Sequence, residues 1–324
     1  MKDLATDRIA SFLESLRALA PVVASRREAF DRYRRLPDDV FAALADVGLF
    51  RLWLPRTLGG PELSPLDFLE VVEAAAALDG SIGWLVGNGG GMSRAGGYLP
   101  PEVARCVFAD PRAFVVSATG AVGTLEPAAN GWRVSGRWPF GSGAAHATHF
   151  MGLAAIGGEP GPDRPAVFCY FPRAQVTVHD TWHVSGLRGS GSSDWEVRDV
   201  FVRAEEAHPF LGHAPTDPGL LYRMPPISVF AWTVAVVPLG IARGALDAFA
   251  SLAGGKIRLG TTTVLRDRET IQAMVGRAEA TMRSARAFLA AAMTELMAAT
   301  DIGGERLVRA RASLRLAAAH AAEA

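Results

Sequence analysis

Lysine is almost missing from this chain: Lys2 and Lys256 are the only two in 324 residues, and arginine carries the rest of the basic charge. Cysteine is equally scarce. Cys106 and Cys169 form neither a CxxC pair nor a metal-ligand spacing, which excludes a disulfide framework and fits a reduced, cytoplasmic setting. There is no excess of charge: 33 basic and 33 acidic residues cancel. That removes the electrostatic case for nucleic acid or an anionic membrane surface. No clean membrane-length apolar run exists either. The longest uncharged stretch, between Arg223 and Arg243, is interrupted by Pro225, Pro226, Pro238 and Gly240, and a span needs roughly 20 apolar residues. A buried helix is the expectation there. The N-terminus is charged and amphipathic, without a signal-peptide core. Internal repeats are absent, and alanine richness is the one compositional bias.

What is present divides into three textures. Over residues 1–110 apolar residues recur at helical spacing. Ile9, Phe12, Leu13, Leu16 and Leu19 make one stripe, and Val40, Phe41, Leu44 and Val47 another. Ser64-Pro65-Leu66-Asp67 is a helix start, with a capping hydroxyl, a proline at the first turn and an acid at the positive helix end. Over 111–210 short β-type runs, such as Trp132-Arg133-Val134 and Trp195-Glu196-Val197, alternate with Gly, Pro, Asn and Asp, as in a small β-barrel or sandwich. Asn130-Gly131 is a hairpin signal. Over 211–324 helical periodicity returns in three long segments: 229–252, 265–299, and 305 to the end. The predicted fold is therefore α+β: an N-terminal helical domain, a central β domain and a C-terminal helical bundle. The last helix runs to the final residue without a stop signal, so the bundle is expected to be one helix short.

Several stretches imitate chemistry. Gly87-Asn88-Gly89-Gly90-Gly91 lacks the Lys and Ser/Thr of a phosphate loop and lies in helical sequence, so close packing is expected. Gly189-Ser190-Gly191 precedes a strand rather than a helix and is no dinucleotide fingerprint. His146 and His149 sit at a strand entrance, where residues three apart face opposite ways; no metal site is expected. The remaining histidines, His179, His183, His208, His213 and His320, are scattered and read as structural or solvent-exposed. Ser142, in Phe140-Gly141-Ser142-Gly143-Ala144, lies between strands rather than on a nucleophile elbow, and a turn serine is usually just a turn former.

The order helical domain, β domain, helical bundle resembles the acyl-CoA dehydrogenase superfamily. Val47-Gly48-Leu49-Phe50 through Pro55, followed by Leu58-Gly59-Gly60, is similar to its "GL…PEE.GG" entrance. Leu187-Arg188-Gly189-Ser190-Gly191-Ser192, running into Val197-Arg198-Asp199-Val200-Phe201-Val202, is similar to its "G.RGS.S….dV.VP" strand. The resemblance covers essentially the whole chain. It implies FAD or FMN. Its flavin segment places Gly136 at the leading glycine, Phe140 at the aromatic against the ring and Ser142 at the hydroxyl facing flavin N5, which makes Ser142 the candidate catalytic group. The physics is sound: an aromatic stacks on isoalloxazine, and a hydroxyl can donate to N5 or accept from it. Ser117 to Thr124 resembles the family's loop at the flavin edge and pyrophosphate, which assigns cofactor binding to Ala118, Gly123 and Thr124. Lys256-Ile257-Arg258-Leu259-Gly260 resembles the segment whose cation reaches the flavin of a neighbouring subunit, with Lys256 replacing an arginine. Gln272 resembles a further flavin contact, at a two-residue offset.

The wording of residues 131–147, ending in His146-Ala147, is most similar to the flavin monooxygenase branch. Membership implies reduced flavin from a separate reductase, a C4a-hydroperoxide and hydroxylation of a small organic substrate. The alternatives are an acyl-CoA dehydrogenase and a non-redox or partner subunit. Two departures stand out. Met92 occupies a position often held by histidine, and the family's C-terminal histidine has no counterpart, so the general base is unassigned. The resemblance also implies a homodimer or homotetramer.

Overall fold

The computed structural model describes residues 2–161 and 165–324, with side chains from residue 8 onward. Helices α1 (Lys2–Tyr33), α2 (Asp38–Asp46), α3 (Pro65–Leu78), α4 (Gly80–Leu85) and α5 (Pro101–Val107) come first. Their apolar stripes do what the spacing predicts: Phe12, Leu16, Val40, Phe41 and Leu44 are all buried. The Ser64 hydroxyl accepts from the Asp67 amide at 3.1 Å, capping α3 as expected.

The central strands are β1 (Val115–Ala128), β2 (Gly131–Gly141), β3 (His149–Ile156), β4 (Val167–Pro172), β5 (Thr177–His179), β6 (Ser193–Arg203) and β7 (Ala207–Pro209). They form one seven-stranded sheet in the order β5-β6-β2-β1-β3-β4-β7. The sheet coils on itself around an aromatic interior. Trp138 of β2 stacks on Trp195 of β6 at 4.3 Å, and Phe171 of β4 reaches both rings at 6.0 Å. Burial of such large faces, plus their offset packing, stabilises the closure. The β1–β2 hairpin lies one residue earlier than the Asn130-Gly131 signal implies. Gly131 already pairs with Ala128, and the left-handed turn residue is Asn130, φ 59°.

The last part holds α6 (Leu220–Arg223), α7 (Pro226–Gly255), α8 (Glu269–Thr300) and α9 (Gly304–Glu323). Helix α7 is long and apolar enough by composition to cross a membrane, yet it packs within the protein: Trp232, Val236, Val237 and Leu239 are buried. It approaches α3 so closely that a Cβ at Gly240 would lie 2.3 Å from the Glu73 carbonyl oxygen. Ion pairs Arg286–Glu73 and Arg243–Glu279, both 2.7 Å, tie α8 to α3 and α7.

Candidate functional site

Two adjoining cavities lie where the sheet meets the helices. The first, about 410 Å³, is built on an irregularity in β1. Strand β1 runs parallel to β3 from Val115 to Ala118, then slips register before Val122. Residues 117–120, at the edge of that slip, line the cavity. Opposite stands the end of β2, whose pairing with β6 also shifts between Trp138 and Gly141. Phe140 occupies that shift at φ 63° and is 65% exposed at the cavity rim. A bulky residue held in the left-handed region is costly by about 1–3 kcal/mol and marks positions kept for function. The Trp182 indole closes the rim edge-on, 6.4 Å from the Phe140 ring.

Ser142 sits at the head of a buried hydroxyl relay. Its Oγ accepts from Trp84 Nε1 at 2.8 Å and shares a hydrogen bond with Ser192 Oγ at 2.8 Å. Ser192 in turn meets Ser190 Oγ at 2.7 Å. Each hydroxyl can rotate, so the relay can present Ser142 as donor or acceptor without leaving a buried group unpaired.

Of the residues singled out in the sequence, Ala118, Phe140 and Ser142 line this one cavity. Gly123 and Thr124 fall beyond the register slip and outside the lining. Gly123 lies under the Trp138 ring, where a Cβ would come within 2.6 Å, and Thr124 pairs with Ser135. Lys256 caps the C-terminal end of α7, and Gln272 donates to the Arg266 carbonyl at 2.9 Å. Phe230, near the start of α7, lines the cavity. At 1.5 Å per residue, Lys256 is about 40 Å farther along the same helix. Neither residue reaches its own chain's cavity.

The glycine cluster is packing, as expected, but it also shapes the site. Residues Val86–Gly90 form a π turn that continues α4. A Cβ at Gly89 would lie 2.2 Å from the Phe114 ring, and one at Gly90 would lie 2.8 Å from the Leu49 carbonyl oxygen. The wide turn brings Asn88 and Gly89 to the cavity, a common placement for such bulges. His146 is structural. It stacks on Phe41 at 4.2 Å, its Nε2 meets the Leu36 carbonyl at 3.0 Å, and burial lowers its pKa. His149 meets Thr148 Oγ1 at 3.3 Å instead.

The second cavity, about 320 Å³, was not legible in the sequence. It shares Met92, Ser117, Thr119 and Phe230 with the first. His208 and His213, read from the sequence as structural or solvent-exposed, both line it, with their rings stacked at 4.8 Å. His208 Nδ1 donates to the Pro209 carbonyl at 3.0 Å, which leaves Nε2 to accept from the Tyr170 hydroxyl at 3.1 Å. Burial pushes the His208 pKa down to about 4, so the ring is neutral. Burial raises the Tyr170 phenol, which keeps its proton. His213 Nε2 donates to the Tyr98 carbonyl at 3.1 Å. Arg94, Tyr98, Tyr222 and Arg223 also belong to the polar part of the wall, and Phe168, Met151 and Val229 to its apolar part. Only the His208…His213 spacing in a Pro/Gly-rich segment hinted at this, because the cluster is assembled by β4, β7, the turn after α4 and the loop that follows β7.

An exposed aromatic on a strained rim, a register-slipped backbone wall and a hydroxyl relay fit a flat heteroaromatic with polar edges. Set between helical regions and a coiled sheet, they suit a flavin-dependent oxidoreductase. The comparisons agree. Residues 6–96 match the model of the acyl-CoA dehydrogenase N-terminal domain, and residues 232–324 match that of its C-terminal domain. The indole-3-acetate monooxygenase of Pseudomonas putida is 33% identical over 92% of this chain and 76% of its own length. The oxygenase subunit HsaA, a flavin-dependent monooxygenase of Rhodococcus jostii, is 32% identical over 76% of this chain and 66% of its own. The solved structure of XiaF from a Streptomyces species, in complex with FADH2 and glycerol, superposes with a TM-score of 0.86 at 26% identity, covering 99% of this chain and 84% of that one. This chain belongs to the acyl-CoA dehydrogenase family, in its flavin-dependent monooxygenase branch.

Proposed function

We propose that the protein is the oxygenase component of a two-component system, hydroxylating a small aromatic molecule seated in the second cavity against reduced flavin in the first. The observation that carries this is the pair of cavities with a shared wall, one suited to a flat cofactor and the other lined by apolar and aromatic side chains. Bound there, reduced flavin supplies the electrons that activate dioxygen for transfer to the substrate. The chain's own part is to bind, orient and exclude water. Phe140 offers its ring to the cofactor face, and the backbone of 117–120 offers amides to its edge. Ser142, held by Trp84 and Ser192, keeps a rotatable proton at Oγ beside the reacting edge. The apolar wall keeps water from the oxygen-transfer step. His208 is neutral and Tyr170 keeps its proton at neutral pH, so this pair adds no charge to the substrate wall. Among the described residues no Asp or Glu lines either cavity, which favours this reading over an acyl-CoA dehydrogenase, whose chemistry needs a carboxylate base.

Anaerobic titration with reduced FMN and reduced FAD tests the cofactor assignment, and the tighter binder names it. With a flavin reductase, NADH and oxygen, Ser142→Ala should lower coupled hydroxylation by about tenfold or more, the scale of losing one placed hydrogen bond at a reacting centre. Absence of reduced-flavin binding would sink the reading. We further propose a homodimer or homotetramer in which Lys256 and Gln272 serve a neighbour's flavin. The 40 Å separation along α7 and the exposed Leu252, Met274, Phe288, Val308 and Leu316 on the bundle helices support it. A cytoplasmic location fits the two free thiols.

A further inference from the structure

Arg94 is the most heavily buried cation of the second cavity's wall, with 8% of its surface exposed. Its Nε donates to the Leu221 carbonyl at 3.0 Å, and its Nη2 donates to the carbonyls of Tyr222 and Met224 at 3.2 and 2.8 Å. The guanidinium lies 4.9 Å over the Tyr98 ring. Those partners fix the group but are all neutral. Among the described residues Nη1 has no hydrogen-bond partner and no carboxylate comes within ion-pair distance. The two acids near Tyr222 are committed elsewhere: Glu62 accepts from the Arg56 amide at 2.9 Å, and Asp217 accepts from the Gly219 amide at 2.9 Å and the Thr57 hydroxyl at 3.2 Å. A desolvated cation held only by neutral dipoles is unfavourable, and an entering anion that can take its free N–H pair relieves it.

We infer that the second cavity is built for an aromatic acid, whose ring packs among Met92, Phe168 and Phe230 and whose carboxylate docks on Arg94. This rests on the monooxygenase reading only in taking that cavity as the substrate site. A carboxylate is preferred to a phosphate because a single guanidinium nitrogen, Nη1, is free and no second cation lines the deep wall. Arg223, the other arginine in the lining, is 42% exposed and is paired with Asp301.

Calorimetric titration of the intact wild-type protein near neutral pH, with 1-naphthylacetate and its uncharged amide 1-naphthylacetamide, tests this. The acid is expected to bind at least tenfold tighter. Arg94→Gln is expected to erase that preference while reduced-flavin affinity stays unchanged, and Arg94→Lys is expected to keep part of it. Equal affinities in the wild type, a preference that survives Arg94→Gln, or no binding of the acid at any soluble concentration would overturn the inference. Should Arg94→Gln fail to fold for want of its three carbonyl bonds, the wild-type acid-to-amide ratio and the Arg94→Lys ratio still decide it. Loss of flavin binding alone would strike the monooxygenase reading and leave the acid preference standing, so the two failures separate.

Discussion

Ser142 and His208 show the two ways in which a side chain acquires a role here. Ser142 lies in a local turn beside Phe140, so its place was readable from the run Gly136 to Gly143. Its relay to Ser192 and Ser190, 50 and 48 residues on, was not readable, because β6 brings them together. His208 gains its environment from Tyr170 and His213, and nothing local in the sequence announces that burial. It makes a titration prediction. The folded ring has its pKa pushed from 6.5 down to about 4. Between those values the unfolded chain takes up a proton that the folded protein does not. Stability is therefore full above about pH 6.5 and falls as the pH drops towards about 4, by about 3 kcal/mol for the whole interval. Burial lowers His146 and His149 in the same sense and steepens the loss. Denaturant unfolding across that range should show the slope, and His208→Gln should flatten part of it.

At the scale of elements, the long helices and most strands were legible, because burial follows period. The stripes on α1 and α2 and the alternation in β2 match what packs inside. The register slip in β1, the π turn after α4 and the coiling of the sheet were not legible. Each is a compromise between neighbouring elements: Phe114 needs the space at Gly89, and Trp138 needs the space at Gly123. Two glycine substitutions separate such constrained positions from free ones. Gly89→Ala drives a methyl into Phe114, which stacks edge-on with Phe41 and Phe50, and should cost about 1–3 kcal/mol in denaturant unfolding. Gly276→Ala, on the exposed face of α8 with nothing within 4 Å, should instead stabilise by up to about 1 kcal/mol. A loss at Gly276 equal to that at Gly89 would mean that local space does not separate the two positions, since helix propensity alone favours alanine at both.

For the whole molecule, the sequence carried the family and the three-part texture, while the relation of the cavities to one another came from folding. Lys256 was singled out as a flavin contact, yet α7 carries it about 40 Å from the cavity that Phe230 lines. If a neighbouring subunit receives it, light scattering should give a dimer or tetramer. Lys256→Ala should then weaken flavin binding by several fold while leaving monomer stability within about 0.5 kcal/mol, as expected of an exposed surface change. A monomeric protein with undiminished flavin affinity in Lys256→Ala would remove the residue from the site.

The wall made by Met92, Ser117, Thr119 and Phe230 has one more consequence. With reduced flavin in one cavity and the organic ligand in the other, as proposed, both touch these side chains, and their occupancies are expected to be thermodynamically linked. Whatever factor the organic ligand applies to flavin affinity, flavin must return to the organic ligand in equal measure. A Met92→Ala variant, which thins that wall, should move this factor towards one even where each ligand on its own still binds.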